Sequence, residues 1–374
     1  MKNKLGVYIH VPFCAKKCPY CDFYSVNFSS DIARRYTEAV IRNIYNGEYS
    51  EKINSSYIAD SIYFGGGTPS ILSAELISMM ISAVRNASEV TADCEITLEC
   101  NPCCFRGSAA DKLEKLRTAG VTRLSVGVQS MDDDELAFLG RRHSAEEARK
   151  VVESAAKLGF ANISADVMLA LPSQTVARLD RTLDAFLGLP LTHISAYMLK
   201  VERDTPFFDS GIAGQLPSDE TAAELYLHTV EKLAESGFEQ YEISNFAKDG
   251  FESRHNCKYW LSEEYYGIGP SASSWLDGKR FAVEKDLIKF VDSKQQPVTI
   301  TDNDAGSDFE RFMLEIRLTK SGVNPNKFDF FTKETEKKIS RLEKNGLVTF
   351  KDGILRLTPR GCLVSNAVIN YLTD

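Results

Sequence analysis

The chain has 374 residues, 43% hydrophobic and 26% charged, with a formal net charge of −8. That balance is ordinary for a soluble globular protein, and the net acidity argues against a broad nucleic-acid surface. Domains of ~100–200 residues predict two or three units, or one barrel with an appendage.

The N-terminus, MKNKLGVYIHVPF, lacks the longer apolar region and small-residue cleavage site of a secretory signal, so the expected location is cytoplasmic. No apolar run nears the ~18 residues that span a bilayer. In chain order, LGVYIHVPF (5–13) reads as a buried strand and DIARRYTEAVIRNIYNGE (31–48) as a helix. DSIYFGGG (60–67) is a second strand ending in glycines, and SAELISMMISAVRNA (73–87) a helix capped by Ser73, with Glu75 in its first turn. EITLECN (95–101) alternates like a strand, and SAADKLEKLRTAG (108–120) is a helix closed by Gly120. RLSVGVQS (123–130) is a strand; SAEEARKVVESAAKLG (144–159) is a helix with Ser144 as cap, Glu147 at the capping-box position and Gly159 as stop. NISADVMLALP (162–172), a helix around 175–188 and HISAYML (193–199) complete the series. Six strands that each feed a helix predict a parallel sheet with right-handed crossovers, as an open barrel or a doubly wound sheet.

Chemistry-bearing residues cluster at the strand ends. The segment HVPFCAKKCPYCDF places Cys14, Cys18 and Cys21 after the first strand. GGGTPS (65–70) follows the second, Glu99 and Asn101 end the third, Gln129 ends the fourth, and Asp166 lies in the fifth. In barrels of this kind the carboxyl ends of the strands carry the site. The nine cysteines are odd in number and the chain is not small, so clustered thiols point to metal or redox chemistry rather than disulfides. Zinc in a closed structural site takes four ligands, and His10 could add a fourth. A cubane iron–sulfur cluster normally takes four thiolates, so three would leave one iron open. Core thiols are the plain reading of Cys94 and Cys362; the CNPCC run (Cys100, Cys103, Cys104) could bind an auxiliary cluster, with core thiols as its plainer reading.

C-x3-C-x2-C after the first strand and GGGTP after the second resemble the radical S-adenosylmethionine (SAM) superfamily. The resemblance implies a [4Fe–4S] cluster on Cys14, Cys18 and Cys21, with SAM chelating the fourth iron and yielding a 5′-deoxyadenosyl radical. YIHVPFCAKKCPYCDF, IYFGGGTPS, LECNP, RLSVGVQS, LGRRH and ISADVMLALPSQT narrow it to the coproporphyrinogen oxidase-like branch, over nearly the whole chain. By motif position, Tyr8, Gly66, Gly67, Thr68, Glu99, Gln129, Arg141 and Asp166 match SAM-contacting positions of that branch.

Within the branch, the oxygen-independent coproporphyrinogen III oxidase carries an extra cysteine where this chain has Phe23, and an N-terminal extension that does not precede the first strand here. Both departures resemble the radical SAM haem chaperones (HemW-type). RHNCKYW (254–260) agrees, because H-N-x-x-Y-W is tied in that family to haem. The resemblance implies His255 as the haem-linked residue, with Tyr259 and Trp260 packing on the macrocycle. Ser273 stands where the family commonly has histidine.

The last 75 or so residues read as a helix from FERFMLEIRLTKSG, a second from KETEKKISRLEKNGLV, and two short strands around Asp352-Gly353, a type I′ turn signal. This resembles a winged helix; with acidic and basic residues mixed, a cap or partner surface is favoured over DNA binding. The expected fold is α/β, a partial (βα)6 radical SAM barrel with a C-terminal α+β extension. Its expected units are 1–230 with the cluster and SAM sites, 231–298 with the haem motif, and 299–374 as the winged-helix-like part. The expected function is haem binding and delivery to acceptor proteins, with cluster and SAM setting conformation or gating release. The alternatives are the oxidase, which decarboxylates propionates, and a non-catalytic zinc protein. The implied partners are haem, haem-accepting proteins and an electron donor such as a flavodoxin or ferredoxin, with no nucleic acid. The resemblance also allows a homodimer and peripheral membrane association.

Overall fold

The structure is a computed structural model that describes residues 2–107, 109–303 and 305–373. Ser108, the expected first residue of one helix, lies outside them. Six strands pair in parallel and in chain order: β1 (Asn3–Val11), β2 (Tyr57–Gly66), β3 (Glu89–Cys100), β4 (Arg123–Gln129), β5 (Asn162–Leu169) and β6 (His193–Met198). Parallel neighbours need a crossover, and a helix supplies each one. These are α1 (Ser30–Asn46), α2 (Ala74–Ala87), α3 (Ala109–Thr118), α4 (Ala145–Lys157), α5 (Val176–Leu187) and, after β6, α6 (Asp219–Glu235). The starts are chemically marked. Ser73 accepts from the Leu76 amide, and Ser144 and Glu147 form a reciprocal capping box. Beyond α4, Gly159 takes φ +86°, the left-handed stop expected of it.

Each barrel strand alternates two kinds of buried residue. One set is apolar and lies under the helices: Val7 and Ile9, Ile62 and Phe64, Ile96 and Leu98, Leu124 and Val126, Ile163 and Ala165. The other set is largely polar and faces the lumen: Ser61, then Glu95 and Thr97, Arg123 and Ser125, Ser164, His193 and Ser195. A two-residue period places the two sets on opposite faces.

The sheet does not stop at the barrel. Tyr265–Ile268 joins the free side of β1 in parallel, followed by Ser273–Leu276, Lys279–Val283 and Val298–Asp302 in antiparallel pairing. Asn245–Ala247 and Glu239–Glu242 extend the β6 side. The sequence boundaries at 230/231 and 298/299 fall inside α6 and inside the strand Val298–Asp302, and strands from all of 1–298 share one 12-stranded sheet. At the C-terminus, the helix Asp308–Glu315 is shorter than its sequence pattern, and Lys333–Lys344 leads to the hairpin Val348–Lys351/Ile354–Leu357. Asp352 and Gly353 take φ +54° and +73°, as a type I′ turn requires.

The segment RHNCKYW is a helix, α7 (Arg254–Trp260). It seats on β1 and β2. A Cβ on Gly6 would lie 2.9 Å from Lys258 Cδ and 3.1 Å from His255 Cε1. Lys258 is buried and forms ion pairs with Asp60 and Glu263, each at 2.8 Å. Asp60→Ala leaves that ammonium buried with one partner. The expected loss is roughly 2–4 kcal/mol of unfolding free energy, read by urea denaturation at neutral pH.

Candidate functional site

The cysteine loop, residues 12–29, runs from β1 to α1 and lies against the end of β2. Gly67 N donates to Val11 O at 2.9 Å and Thr68 N to Phe13 O at 2.8 Å. A Cβ on Gly67 would stand 2.8 Å from Phe13 O and 2.9 Å from Val11 O; one on Gly66, at φ +103°, would stand 2.5 Å from the His10 ring. The glycines are thus required by the loop backbone and His10, rather than by a ligand's approach alone.

All three motif thiols are free and half-buried. Thr68 Oγ1 lies 3.5 Å from Cys14 Sγ, Cys21 N donates to Cys18 O at 3.2 Å, and Arg141 Nη1 donates to Cys18 Sγ at 3.7 Å. His10 does not join them. Its Nδ1 meets the Tyr8 hydroxyl at 3.1 Å and its Nε2 meets Tyr24 O at 3.0 Å, so both nitrogens are engaged. Among the described residues, no three His, Cys, Asp or Glu side chains are gathered as ligands of a single ion. The thiolates of a cubane bind separate irons and need not converge on one point. A three-thiol set with a guanidinium beside it suits an anionic cluster.

Next to this loop, at the carboxyl ends of the strands, opens a cavity of about 390 Å³. Gly66, Gly67, Thr68, Glu99, Gln129, Arg141 and Asp166 all line it, with Cys21 and Phe23 at one side. Seven of the eight residues expected to contact SAM are therefore brought together. Tyr8 lies behind the wall: a Cβ on Gly65 would stand 3.0 Å from the Tyr8 ring and 3.1 Å from Glu99 Oε1.

Two carboxyls dominate the electrostatics. Glu99 accepts from the Tyr63 hydroxyl at 2.8 Å and from Gly66 N at 3.1 Å. Burial pushes it up to about 7, with Asp166 adding repulsion and Tyr63, Gly66 and Arg123 opposing the rise. Burial likewise pushes Asp166 up to about 6, against hydrogen bonds from Ser195 and Ser125 and the charges of Arg123 and Arg141. Around them are unmet polar atoms. Gln129 Oε1 and Arg141 Nε are buried without a hydrogen-bond partner, and Gln129 takes φ +73°, a strained conformation for a non-glycine. These orphaned groups fit a polar, partly cationic ligand that also carries a carboxylate.

His255 is placed differently from the sequence expectation. Its imidazole is 1% exposed. Nδ1 meets Ser61 Oγ and Nε2 meets the Tyr259 hydroxyl, both at 2.9 Å, and burial holds the ring neutral, down to about 3. Tyr259 packs edge-on to Tyr265 at 4.6 Å, and Trp260 is half-buried with the Arg317 guanidinium 5.8 Å from its ring. Neither nitrogen of His255 is offered to a haem iron, so the residues present do not fit that ligation. Ser273 is exposed on its strand.

The motifs did not reveal Tyr63, Arg123, Ser125 and Ser195, which support the carboxyls from the lumen. Their signal was the polar residue at every second strand position. For Cys103 the plainer sequence reading is a core thiol. Instead it shares a small cavity with Cys18, Thr68, Arg141 and Arg142. A hydrogen bond from Cys104, then Arg142, Arg141 and Arg106, bring it down to about 6.

Known proteins resemble this arrangement. The Radical SAM superfamily profile matches residues 8–186. "Heme chaperone HemW" of Lactococcus lactis is 33% identical over 380 residues, covering 99% of this chain and 97% of that protein. "Heme chaperone HemW" of Bacillus subtilis is 34% identical, covering 97% of each. The mitochondrial "Radical S-adenosyl methionine domain-containing protein 1" of Bos taurus is 41% identical over 72% of this chain, and the match spans 60% of that longer relative. Among solved structures, coproporphyrinogen III oxidase (HemN) from Escherichia coli superposes with a TM-score of 0.82 at 21% identity, covering 100% of this chain and 91% of that one, which shows a shared fold.

The raised Glu99 carboxyl has a stability consequence. The folded state retains a proton that the unfolded state releases near its ordinary 4.5, so this contribution is full below that pH and is lost as pH rises through about 7. Glu99→Gln removes the penalty. In cluster-free protein it is expected to be more stable than wild type at pH 8, by roughly 3 kcal/mol at ~1.4 kcal/mol per pKa unit, and no more stable at pH 4. Urea denaturation at both pH values measures this.

Proposed function

Because this chain belongs to the radical SAM superfamily, in the family of the heme chaperone HemW, we propose that it binds haem and passes it to acceptor proteins, with an iron–sulfur cluster and SAM controlling the exchange. The observation that carries this reading is likeness along the whole length. Two such chaperones align with 97–99% of the chain, α7 and the C-terminal elements included.

Cys14, Cys18 and Cys21 would hold the [4Fe–4S] cluster, leaving one iron to SAM. When bound, the reduced cluster supplies an electron to SAM. The chain's own part is placement. Arg141, between Cys18 and the cavity, pairs with the SAM carboxylate. Glu99 and Asp166 accept from the amino group and ribose hydroxyls, and a cationic ligand favours their ionised forms. Gly66, Gly67 and Thr68 offer the β2 edge, Gln129 its unmet carbonyl, and Tyr8 supports from behind. Haem binding is assigned to the chain and not to His255.

A one-electron donor such as a flavodoxin or ferredoxin is the proposed reductant. A cytoplasmic location, a homodimer and peripheral membrane contact belong to the same proposal, as does a winged-helix-like role for 299–374. Among the described residues no helix is long and apolar enough to cross a membrane.

Anaerobic reconstitution tests the reading. The expected product is brown, with broad absorption near ~400 nm that SAM perturbs, and it binds haem. Glu99→Gln is expected to weaken SAM binding about tenfold, a loss of ~1.4 kcal/mol. Coproporphyrinogen with SAM and reductant should stay unchanged. A vinyl product would establish the oxidase instead, and a colourless zinc-loaded protein would remove both.

A further inference from the structure

If His255 is not offered to haem, its elaborate seating needs another account. The ring is held on four sides. Ser61 of β2 and Tyr259 of α7 take its two nitrogens. Its face stacks on Tyr63, with ring centres 5.1 Å apart and planes 28° from parallel, and on Tyr8 at 6.2 Å and 29°. Either tautomer is satisfied, since both hydroxyls can donate or accept.

What the ring touches matters more than what holds it. Tyr63 is the phenol that donates to Glu99 at 2.8 Å. Its ring lies between the strand backbone and its neighbours: a Cβ on Gly65 would meet Tyr63 Cε1 at 2.9 Å and Tyr8 Cε2 at 3.0 Å. A continuous column thus runs from α7 through Tyr259, His255 and Tyr63 to the cavity carboxyl. Besides Tyr63, Glu99 has the Gly66 amide as donor, which fixes the other oxygen. The phenol therefore sets which way the carboxyl faces.

We propose that His255 is a positioning residue of the SAM site: it clamps Tyr63 so that the phenol holds Glu99 toward bound SAM, and it is not a haem ligand. A flat ring with hydrogen-bonding atoms on opposite edges does this, and no aliphatic side chain can replace both functions. The inference rests on the reading that SAM occupies the Glu99 cavity.

The test uses the full chain with its cluster reconstituted anaerobically. SAM affinity is read from the cluster's spectrum and haem by separate titration, for wild type, His255→Ala, Tyr63→Phe and the double variant. Each single change is expected to weaken SAM about tenfold, and the double to be no weaker than Tyr63→Phe alone, because both act through one bond. Haem stoichiometry and affinity stay at wild-type values in His255→Ala. The acid limb of SAM binding moves to higher pH in both single variants, as Glu99 loses its phenol donor while still facing Asp166, Arg123 and the Tyr8, Tyr197 and Tyr259 phenols. A merely structural role would lower Tm without moving that limb.

Wild-type SAM affinity in His255→Ala, fully multiplicative losses in the double variant, or loss of haem would each overturn the proposal. Should His255→Ala not fold, Ser61→Ala and Tyr259→Phe each remove one anchor and keep the ring. Both are expected to weaken SAM two- to fivefold, and unchanged affinity in both overturns the proposal. If SAM fails to perturb wild type, the cavity reading falls and takes this one with it; failure confined to the variants removes only the role of His255.

Discussion

Two half-buried carboxyls facing each other across one barrel are the constraint around which the molecule is arranged. Glu99 and Asp166 repel each other, and both are partly desolvated on the cavity wall. An isolated ionised carboxylate in such surroundings would be far too costly, so it must be paired, hydrogen-bonded or protonated. The barrel uses all three. Arg123, buried at the base of β4, lies within reach of both charges, yet its own Nε and Nη1 lack hydrogen-bond partners. Tyr63, Ser125, Ser195 and the Gly66 amide supply hydrogen bonds. The remaining deficit appears as raised proton affinity near neutrality. A cationic ligand can recover that deficit on binding.

Much of this was legible in sequence, and the reason is periodicity. The strand segments announced themselves because their outward residues are apolar and must be buried under helices. Capping residues such as Ser73 and Ser144 marked where the helices begin. The mouth residues followed from their place after the strands. What stayed hidden was the lumen. A charged residue such as Arg123 at the start of RLSVGVQS looks like an exposed strand edge until the barrel closes over it. Glu95 and His193 mislead in the same way. The short added strands from 239 to 302 carry too few residues for a period to show. In α7, seven residues rich in aromatic and polar groups give no amphipathic stripe, and its helical form is imposed by packing on β1 and β2.

The glycines of GGGTP teach a different lesson about motifs. By motif position Gly66 and Gly67 match residues that contact SAM. In the structure the space beside them is already filled, by the carbonyls of Val11 and Phe13 and by the His10 ring. The consequence is mechanical. The cysteine loop and the cavity edge share backbone hydrogen bonds and the Thr68–Cys14 contact, so neither can shift alone. A cluster held by the loop and a ligand held by the edge would therefore be kept in a fixed relation, which is what transfer of an electron between them demands.

The same logic bears on how haem enters the picture. For His255 to ligate iron, α7 would have to leave the barrel floor. Leaving breaks the buried Ser61 hydrogen bond and a ring stack and exposes the Lys258 pair with Asp60, and ligation through Nε2 would further displace the Tyr259 hydroxyl, its partner within the helix. At ~1 kcal/mol per net hydrogen bond and more for a disrupted buried ion pair, the opening costs at least ~3–4 kcal/mol. A site populated at that level loses a factor of several hundred in apparent affinity. Haem held by His255 would also release Tyr63 and with it one of the two anchors of Glu99, so occupancy of one site would disturb the other. In the closed structure the helix serves the carboxyl, and any haem contact that leaves α7 seated avoids this conflict.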